Sequence, residues 1–285
     1  MLSILVPCYN FSINKLVQSI HTQTEIEKIN YEIICVEDGS NKFFTNNKIK
    51  KFKNVKYIIN KENFGRSKIR NFLAKKAKYN WLLFIDCDST IENKYFIKNY
   101  LNNTKFDQFI IYGKTTYQKE KPKKNKILHW TYGREIEAKR KKKTFSSHHF
   151  LIQKKIFCKF KFNEKIKKYG HEDTIFWLKL KQKNYKFKYI ENSLMNRLEN
   201  SKIFIKKTNE ALNNLYQLSK THDLSEISLI KFHRIIKMFL LKNFIVFIFK
   251  SMKSNLIKNL LSKNPNMLLF QFYKIGYYCK ITKSN

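Results

Sequence analysis

Several common sequence signatures are missing from this 285-residue chain. Its five cysteines, at positions 8, 35, 87, 158 and 279, form no CxxC pair. Their odd number and their spacing argue against a metal-binding cysteine cluster and against a disulfide framework, and they fit a reducing compartment. The first predicted strand begins at Leu2, which leaves no room for a signal peptide, so we expect a cytoplasmic protein.

Glycine, proline and acidic residues are scarce, with 6 Gly, 3 Pro and 21 Asp+Glu against 58 Lys+Arg. The net charge of +37 is spread over the whole chain. Lysine, asparagine, isoleucine, phenylalanine and tyrosine are abundant, a composition typical of an AT-rich genome, and this coding bias explains most of the charge. The remainder indicates attraction to an anionic partner: a nucleotide, an acidic saccharide or an anionic membrane surface.

A nucleic-acid-binding protein is the alternative that the charge alone suggests. Only six of the cations are arginine, and no helix-turn-helix, RRM or zinc motif is recognisable. We therefore expect no nucleic-acid partner. The hydrophobic content of 43% supports a real core, which excludes a disordered basic tail.

Apolar runs alternate with helical periodicity through the first third of the chain. They predict strands at Leu2–Pro7, Ile33–Val36, Val55–Ile59 and Trp81–Ile85, and helices at Ile13–Thr22 and Ser67–Ala77. Ser67 is the predicted N-cap of the second helix. Later segments predict strands at Phe109–Tyr112, Phe150–Ile152 and Phe187–Ile190, and helices at 129–143 and Glu172–Gln182. The predicted fold class is α/β, with a mixed, mainly parallel sheet flanked by helices.

From residue 201 to residue 285 the pattern is helical and basic, which predicts a C-terminal helical extension. Residues 231–261 combine apolar and basic side chains, but the apolar run is shorter than the roughly 20 residues that span a bilayer. Two interpretations are equally consistent with this stretch. It is either an interfacial helix on an anionic membrane or a helix packed on the rest of the protein.

The apolar run Trp81–Ile85 ends in two acids, Asp86 and Asp88. Five consecutive apolar residues are typical of a strand buried on both faces, and in an extended chain both carboxylates would point the same way. Charges beside a core are costly unless a cation meets them. We interpret the pair as a site for a divalent metal that shares the phosphates of a nucleotide. A solvated turn with chance acids is equally consistent with Asp-x-Asp alone.

Polar residues also follow the other predicted strands, in the segments Pro7–Asn10, Glu37–Ser40 and Asn63–Asn71, and two acids begin a helix in Gly170–Asp173. Each segment alone is explained by turn formation or by the helix dipole. Their order and spacing together resemble family 2 glycosyltransferases of the GT-A fold, bacterial surface-glycan type, over about residues 2–200. Tyr169–Asp173 resembles the Glu-Asp catalytic motif of that family.

The resemblance implies an inverting transfer of a sugar from a nucleotide-sugar, usually a UDP-sugar, with Mn²⁺ or Mg²⁺ as cofactor. Residues 1–200 would form the GT-A domain, with a nucleotide-sugar-binding half over 1–114 and an acceptor and catalytic half over 115–200. The acceptor would be a saccharide or a lipid-linked glycan, and the enzyme would be cytoplasmic or peripheral on the inner face of the plasma membrane, in contact with anionic lipid.

The resemblance also assigns roles to single residues. The donor would be bound by Pro7, Tyr9, Asn10, Asp38, Gly65, Arg70 and Asp86, with Asp38 accepting from the ring N–H of uracil. Arg70 would balance the diphosphate charge. Asp88, with Asp86 directly or through water, would hold the metal. Asp173 would be the general base that takes the acceptor proton, and Glu172 would orient the acceptor or Asp173.

One position departs from the family pattern. Many relatives carry a histidine shortly after the last strand of the catalytic domain, where this chain has Asn196 followed by Arg197. An Asn side chain can bind a hard cation through its carbonyl oxygen, so Asn196 is a further metal-ligand prediction. The alternative is a weaker metal dependence, or a catalytically degenerate scaffold. His148 and His149 are weak predictions for acceptor contact.

Overall fold

The computed structural model describes residues 1–41, 46–105, 109–139 and 144–282. The chain packs as two compact units. The first comprises Met1–Tyr117, Arg140–Lys167 and Glu172–Arg197, and the second comprises Gln118–Lys139, Lys168–His171 and Leu198–Asn285. The main junction lies close to the domain boundary predicted at residue 200, but the second unit also takes in two earlier segments.

The strands in the described residues of the first unit form one eight-stranded sheet, in the order β3-β2-β1-β4-β7-β6-β8-β5. Its strands are β1 (Leu2–Cys8), β2 (Tyr31–Asp38), β3 (Val55–Asn60), β4 (Trp81–Ile85), β5 (Ser89–Thr90), β6 (Phe109–Thr116), β7 (His149–Gln153) and β8 (Lys186–Asn196). Strands β1 to β4 are mutually parallel, and β6 is parallel to β8. Strand β7 runs antiparallel to β4 and β6, and β5 runs antiparallel to β8. The predicted mixed, mainly parallel sheet is confirmed.

The α-helices of the described chain are α1 (Asn14–Ile26), α2 (Gly65–Lys76), α3 (Phe96–Leu101), α4 (Ile127–Tyr132), α5 (Lys154–Phe160), α6 (Glu172–Gln182), α7 (Ser201–Ser219), α8 (Ser228–Met238), α9 (Lys242–Leu260) and α10 (Met267–Ile281). Alternate residues of the central strands enter two apolar clusters, one on each face of the sheet. Ile4 and Val6 of β1 lie in a cluster with α1, and Leu5 lies in a second cluster with α2. Because both faces are covered, these strands are apolar throughout.

The start of α2 differs from the sequence prediction. The helix begins at Gly65, two residues before the predicted N-cap Ser67. Ser67 is buried inside the helix, and its Oγ has no hydrogen-bond partner among the residues that the structure describes. The backbone N–H groups of Phe64 and Gly65 donate instead to the two carboxylate oxygens of Asp38, at 2.7 and 3.0 Å. The prediction of Ser67 was wrong because the cap comes from a residue that is distant in sequence.

Two further elements differ from the prediction. The helix predicted over 129–143 is the short α4 followed by a π-helical turn at Gly133–Glu137, while residues 140–143 lie outside the described residues. The two-residue strand β5 was not predicted. A strand of that length carries no periodic signal, and it forms only by pairing with Met195 and Asn196 of β8.

The second unit is helical, as predicted for residues 201 onward. Its apolar cluster joins Leu128 of α4 and Phe249 and Leu256 of α9 to Phe270 and Tyr273 of α10. The basic, apolar stretch 231–261 is divided between α8 and α9. In the residues that the structure describes, no helix is both long enough and apolar enough to cross a membrane.

We predict that Phe84→Ala destabilises the first unit by about 3–5 kcal/mol, because Phe84 is fully buried and stacks on two other rings. Its ring lies 4.8 Å from that of Phe150 and 4.9 Å from that of Phe157. The measurement is equilibrium unfolding in urea. Ile59→Ala, at an exposed position of β3, is the matched control and should change the free energy of unfolding by less than about 0.5 kcal/mol. Equal losses in the two variants would contradict the packing described here.

Candidate functional site

The carboxyl ends of β1, β2 and β4 meet at one edge of the sheet, because these strands are parallel neighbours. The turns that follow them contain most of the residues predicted to bind a donor. Ligands in open α/β sheets bind at this edge.

The turn after β1 is fastened to the turn after β2. The backbone N–H of Asn10, which has a positive φ of 53°, donates to Ser40 Oγ at 2.7 Å. Pro7 lies inside β1, in register with Val36, and Tyr9 is exposed. The structure therefore places Pro7, Tyr9 and Asn10 beside the Glu37–Ser40 turn, as one rim of the sheet edge.

Glu37 organises this rim and was not predicted to have a role. Its carboxylate accepts hydrogen bonds from Ser40 Oγ, from Asn46 Nδ2 at 3.1 Å and from the Tyr57 hydroxyl at 2.7 Å. Asn46 Oδ1 in turn accepts from the backbone N–H of Ile13 at 3.0 Å. The hydrogen bonds of the Glu37 carboxylate thus hold the turn after β2 in place. Its partners come from three separate segments, which is why no local sequence pattern indicated them.

Asp38 is buried, and its carboxylate receives the two backbone hydrogen bonds from the start of α2. Burial raises the pKa of Asp38, and these two hydrogen bonds oppose that rise. Asn63 Nδ2 donates to the Asp38 carbonyl oxygen at 2.9 Å, which completes the contact between the two loops. A ligand would therefore meet an Asp38 carboxylate that is already fixed in orientation. The predicted contact with a base remains a prediction.

Gly65 has the positive φ of 76° that favours glycine, and a Cβ built on it would meet open space. The backbone at this point is therefore uncovered, and a ligand can approach it closely. This geometry is compatible with the predicted donor contact at Gly65.

Arg70 lies in a buried environment and forms an ion pair with Asp86. Its side chain is only 2% exposed, and Nη2 donates to Asp86 Oδ1 at 2.6 Å. The guanidinium also lies over the Phe162 ring, 5.5 Å from its centroid. Because it is buried and paired, Arg70 orients the Asp86 carboxylate and offsets its charge. The predicted role in balancing diphosphate charge stays a prediction.

Asp86 and Asp88 have different surroundings. The backbone N–H of Asp86 donates to the His148 carbonyl oxygen at 2.9 Å, which continues the β4–β7 pairing. Cys87 and Asp88 then form a turn, so the strand alternation that was used to align the two acids does not extend to Asp88. The two carboxylates are nevertheless close enough that Asp86 contributes to a raised pKa of Asp88.

Of the two acids, Asp88 has the carboxylate that is available to a ligand. Among the residues that the structure describes, no side chain forms a hydrogen bond or an ion pair with its carboxylate. Burial, followed by repulsion from Asp86, raises its pKa, and the nearby His148 and Arg66 oppose that rise. Since a partly buried carboxylate beside a second acid is stabilised in its charged form by a cation, this position favours cation binding.

Asn196 lies next to this turn, because β5 pairs Ser89 with Asn196 and the Arg197 N–H donates to the Asp88 carbonyl oxygen at 3.1 Å. The oxygens of Asp88, Asp86 and Asn196 are hard ligands that fit Mn²⁺ or Mg²⁺. Nowhere in the described chain do three or more His, Cys, Asp or Glu side chains cluster as a metal cage. A metal at this edge would therefore have to complete its coordination with substrate phosphate and water.

Arg66 is a candidate site residue that no sequence pattern indicated. Its side chain is 47% exposed, Nη1 lies 3.5 Å from Glu172 Oε1, and its charge opposes the rise in the pKa of Asp88. Arg66 thus connects the predicted metal site with the start of α6. It lies one helical turn before Arg70, and the sequence does not indicate which of the two arginines faces the core.

Asp173 lies in the first turn of α6, beside the buried Glu172. Burial and the negative charge of Glu172 raise the pKa of Asp173 to about 6. Backbone hydrogen bonds from Thr174 and Ser147 and the positive charge of Arg70 moderate this rise. A carboxylate with a pKa near the working pH is suited to accept a proton, because general-base catalysis is most efficient there.

His148 and His149 are internal residues. The ring of His148 lies 2.8 Å from Ser89 Oγ through Nε2 and 3.0 Å from Thr115 Oγ1 through Nδ1. His149 is buried, with Nδ1 at 2.7 Å from the Tyr100 hydroxyl, and burial lowers its pKa well below the usual value. Both rings tie strands together, so the suggestion of acceptor contact finds no support in their geometry.

Comparison with known proteins points to one family. The sequence model of glycosyl transferase family 2 matches residues 3–167. A glycosyltransferase of Methanocaldococcus jannaschii is 25% identical over 237 residues, which cover 78% of this chain and 79% of that protein. A glycosyltransferase of Haemophilus influenzae is 38% identical over 90 residues, which cover 31% of this chain and only 29% of that protein.

Two solved structures share the fold. S. aureus TarS 1-349 in complex with UDP has a TM-score of 0.50 and 18% identity, and the match covers 99% of this chain and 90% of that chain. The mannosyltransferase PcManGT from Pyrobaculum calidifontis, in complex with GDP-Man and Mn²⁺, has a TM-score of 0.53 and 10% identity. That match covers 78% of this chain and 65% of that chain.

These likenesses confirm the GT-A fold and the family resemblance predicted from the sequence. The family match covers more than half of the chain and includes the edge residues from Pro7 to Asp88. The chain belongs to glycosyl transferase family 2.

Proposed function

We propose that this glycosyltransferase is inverting and moves a sugar from a UDP-sugar to a hydroxyl of a saccharide or lipid-linked acceptor. The proposed setting is cell-surface glycan synthesis at the inner face of the plasma membrane. The observation that carries the proposal is the contrast between two carboxylates. Among the described residues no side chain pairs with Asp88, its neighbour Asp86 is paired with Arg70, and Asp173 has a pKa raised to about 6.

The donor half of the proposal rests on the edge formed by β1, β2 and β4. Pro7, Tyr9 and Asn10 would line the nucleoside, and the Asp38 carboxylate would accept from the uracil ring with the lone pairs that the α2 backbone leaves available. Gly65 would allow the backbone to approach the phosphates. The UDP in the TarS complex supports a uridine nucleotide as the first ligand to test.

A divalent cation fits the oxygen ligands Asp88, Asp86 and Asn196. Such an ion, when bound, would act as a Lewis acid that stabilises negative charge on the departing nucleoside diphosphate. Arg66 would contact a phosphate from the exposed first turn of α2, whereas Arg70 is buried against Asp86. Arg70 would hold the Asp86 carboxylate in a fixed orientation, through the 2.6 Å contact. The Mn²⁺ in the PcManGT complex supports this choice of metal.

Asp173 would perform the proton transfer. Its carboxylate takes the proton of the acceptor hydroxyl while the hydroxyl oxygen attacks the anomeric carbon and the nucleoside diphosphate leaves from the opposite face. The hydrogen bond from the Thr174 N–H to Asp173 Oδ1, at 2.7 Å, holds the carboxylate in place. Glu172 is engaged with Arg66, so it would link the base to the phosphate-binding side of the site.

A catalytically degenerate scaffold is the second candidate, and Asn196 is the observation that favours it. It stands where many family members carry a histidine ligand. A scaffold and an enzyme would differ in metal-dependent donor binding and in transfer, and the variants below distinguish them.

The first prediction concerns donor binding. UDP with Mn²⁺ should raise the apparent stability of the wild-type protein by about 2.7 kcal/mol at 100 times its dissociation constant. Asp88→Asn should lose the part of this effect that depends on Mn²⁺, because it removes the charged ligand. Thermal-shift assays with and without Mn²⁺ measure the difference. Glu120→Gln, an exposed change of the same type, is the control and should behave as wild type. The absence of a response to any nucleotide would rule out the donor site.

The second prediction concerns the base. Asp173→Asn should keep metal-dependent UDP binding but transfer sugar about 10²–10⁴-fold more slowly, since an amide cannot take the acceptor proton. Transfer of radiolabelled sugar from a panel of UDP-sugars to membrane-extracted acceptors measures the loss. Glu164→Gln, at an exposed acid of the same unit, is the control. If Asp173→Asn lost binding and transfer together, its role would be structural and the assignment of the base would be wrong.

The third prediction concerns pH. A base with a pKa of about 6 is protonated below that pH, so the transfer rate should fall about tenfold for each pH unit below 6 and level off above it. Measuring kcat from pH 4.5 to pH 8 at saturating donor tests this profile, with UDP binding followed in parallel. A rate that is independent of pH through this range would exclude Asp173 as the base.

A further inference from the structure

The junction between α8 and α9 exposes an unusual amount of apolar surface. We call residues 232–247 the α8–α9 corner. Half of the large apolar side chains that are exposed in the described chain lie in this corner, namely Phe232, Ile235, Met238, Phe239, Leu240, Leu241, Phe244 and Phe247. Leu240 is 87% exposed and Phe247 is 72% exposed. Contiguous apolar surface of this kind marks an interaction site.

The corner exists because the helical stretch breaks at its most apolar point. Leu240 has a positive φ of 57°, which separates α8 from α9. The inward faces of the two helices are used, since Ile236 and Val246 are buried against Ile275 and Cys279 of α10. The outward faces and the residues of the break therefore remain in solvent.

The charge around the corner has a single sign. From residue 227 to residue 285 the sequence contains no acid. Basic side chains are exposed on both sides of the apolar surface, at Lys231, Arg234, Lys237, Lys250 and Lys253. An apolar surface bordered by cations matches the boundary between acyl chains and phosphate headgroups in an anionic bilayer.

We propose that the α8–α9 corner docks on an anionic phospholipid surface. The side chains of Met238–Leu241, with Phe244 and Phe247, enter the acyl-chain boundary, and the flanking cations contact the lipid phosphates. A second copy of the chain fits less well, because a self-complementary contact would bring like charges together in a protein of net charge +37.

This inference extends the membrane location within the proposed function, and it is tested without donor or acceptor. The failure of vesicle binding would leave the transferase assignment untouched. The failure of UDP binding would equally leave the docking surface untouched.

The test is sedimentation of the full-length protein with phosphatidylcholine vesicles that contain or lack phosphatidylglycerol. We expect binding to the anionic vesicles and a strong decrease at high salt, because exposed charges are screened. The double variant Phe239→Ser, Leu240→Ser should bind about a hundredfold more weakly, since it removes two large apolar side chains from the lipid contact. The matched control is Ile203→Ser, Leu268→Ser, at two exposed positions of the same unit outside the corner, and it should bind as wild type.

Neutralisation of the cations gives an independent readout. The triple variant Lys231→Gln, Arg234→Gln, Lys237→Gln should weaken binding to anionic vesicles on the order of a hundredfold, because each cation near the surface contributes about 1 kcal/mol. A control triple variant, Lys53→Gln, Lys61→Gln, Lys75→Gln, removes the same charge from exposed positions of the first unit and should bind almost as wild type.

Three results would overturn the proposal. The first is no binding of the wild-type protein to anionic vesicles at low salt. The second is equal weakening of vesicle binding by the corner variants and by their controls. Binding would then depend only on the overall charge or hydrophobicity of the protein. The third is a wild-type dimer, detected by light scattering, that the Phe239→Ser, Leu240→Ser variant converts to a monomer while vesicle binding stays unchanged. Circular dichroism and melting temperature verify that each variant is folded.

Discussion

The ion pair between Arg70 and Asp86 sets the chemistry of the whole sheet edge. Asp86 and Asp88 follow the same buried strand, and two unpaired acids at that position would repel each other. The buried guanidinium of Arg70 forms an ion pair with Asp86 at 2.6 Å. Asp88 is then the acid that has no side-chain partner in the described chain. A buried pair of this kind is costly to break, because removing either partner leaves an uncompensated charge in the core. The arrangement therefore gives the two acids different surroundings.

Asp88 and Asp173, the latter in the first turn of α6, also differ in their surroundings. Burial raises the pKa values of Asp88 and Asp173, but the charges around them differ. Asp88 is close to Asp86 and Arg66, an environment that favours a cation and phosphate. For Asp173, burial and then the negative charge of the neighbouring Glu172 raise the pKa to about 6. Acids whose surroundings differ in this way can serve as ligand and as base in one site. Arg66 interacts with both regions, because it contacts Glu172 beside Asp173 and its charge opposes the rise in the pKa of Asp88.

The positions of the strands were predictable, because buried parallel strands are apolar runs. The location of the acids in the turns after these strands was predictable for the same reason. Three features were not predictable, and each depends on a tertiary contact. The cap of α2 is Asp38 rather than Ser67, which follows from the loop of β2 reaching the helix. Arg66 and Arg70 are four residues apart and lie on the same side of α2, but Arg66 in the first turn is 47% exposed and Arg70 is 2% exposed. The sequence does not indicate where along the helix this side passes from solvent into the core. The break between α8 and α9 at Leu240 contains neither glycine nor proline, so no local sequence signal predicted it.

The central claim is that Asp88 holds a metal at the donor site while Asp173 does not. Electron paramagnetic resonance of Mn²⁺ tests it most directly, with the wild-type protein, Asp88→Asn and Asp173→Asn titrated in the presence of UDP. The account predicts that UDP-dependent Mn²⁺ binding is present in the wild type, lost in Asp88→Asn and retained in Asp173→Asn. Wild-type Mn²⁺ affinity in Asp88→Asn would contradict it.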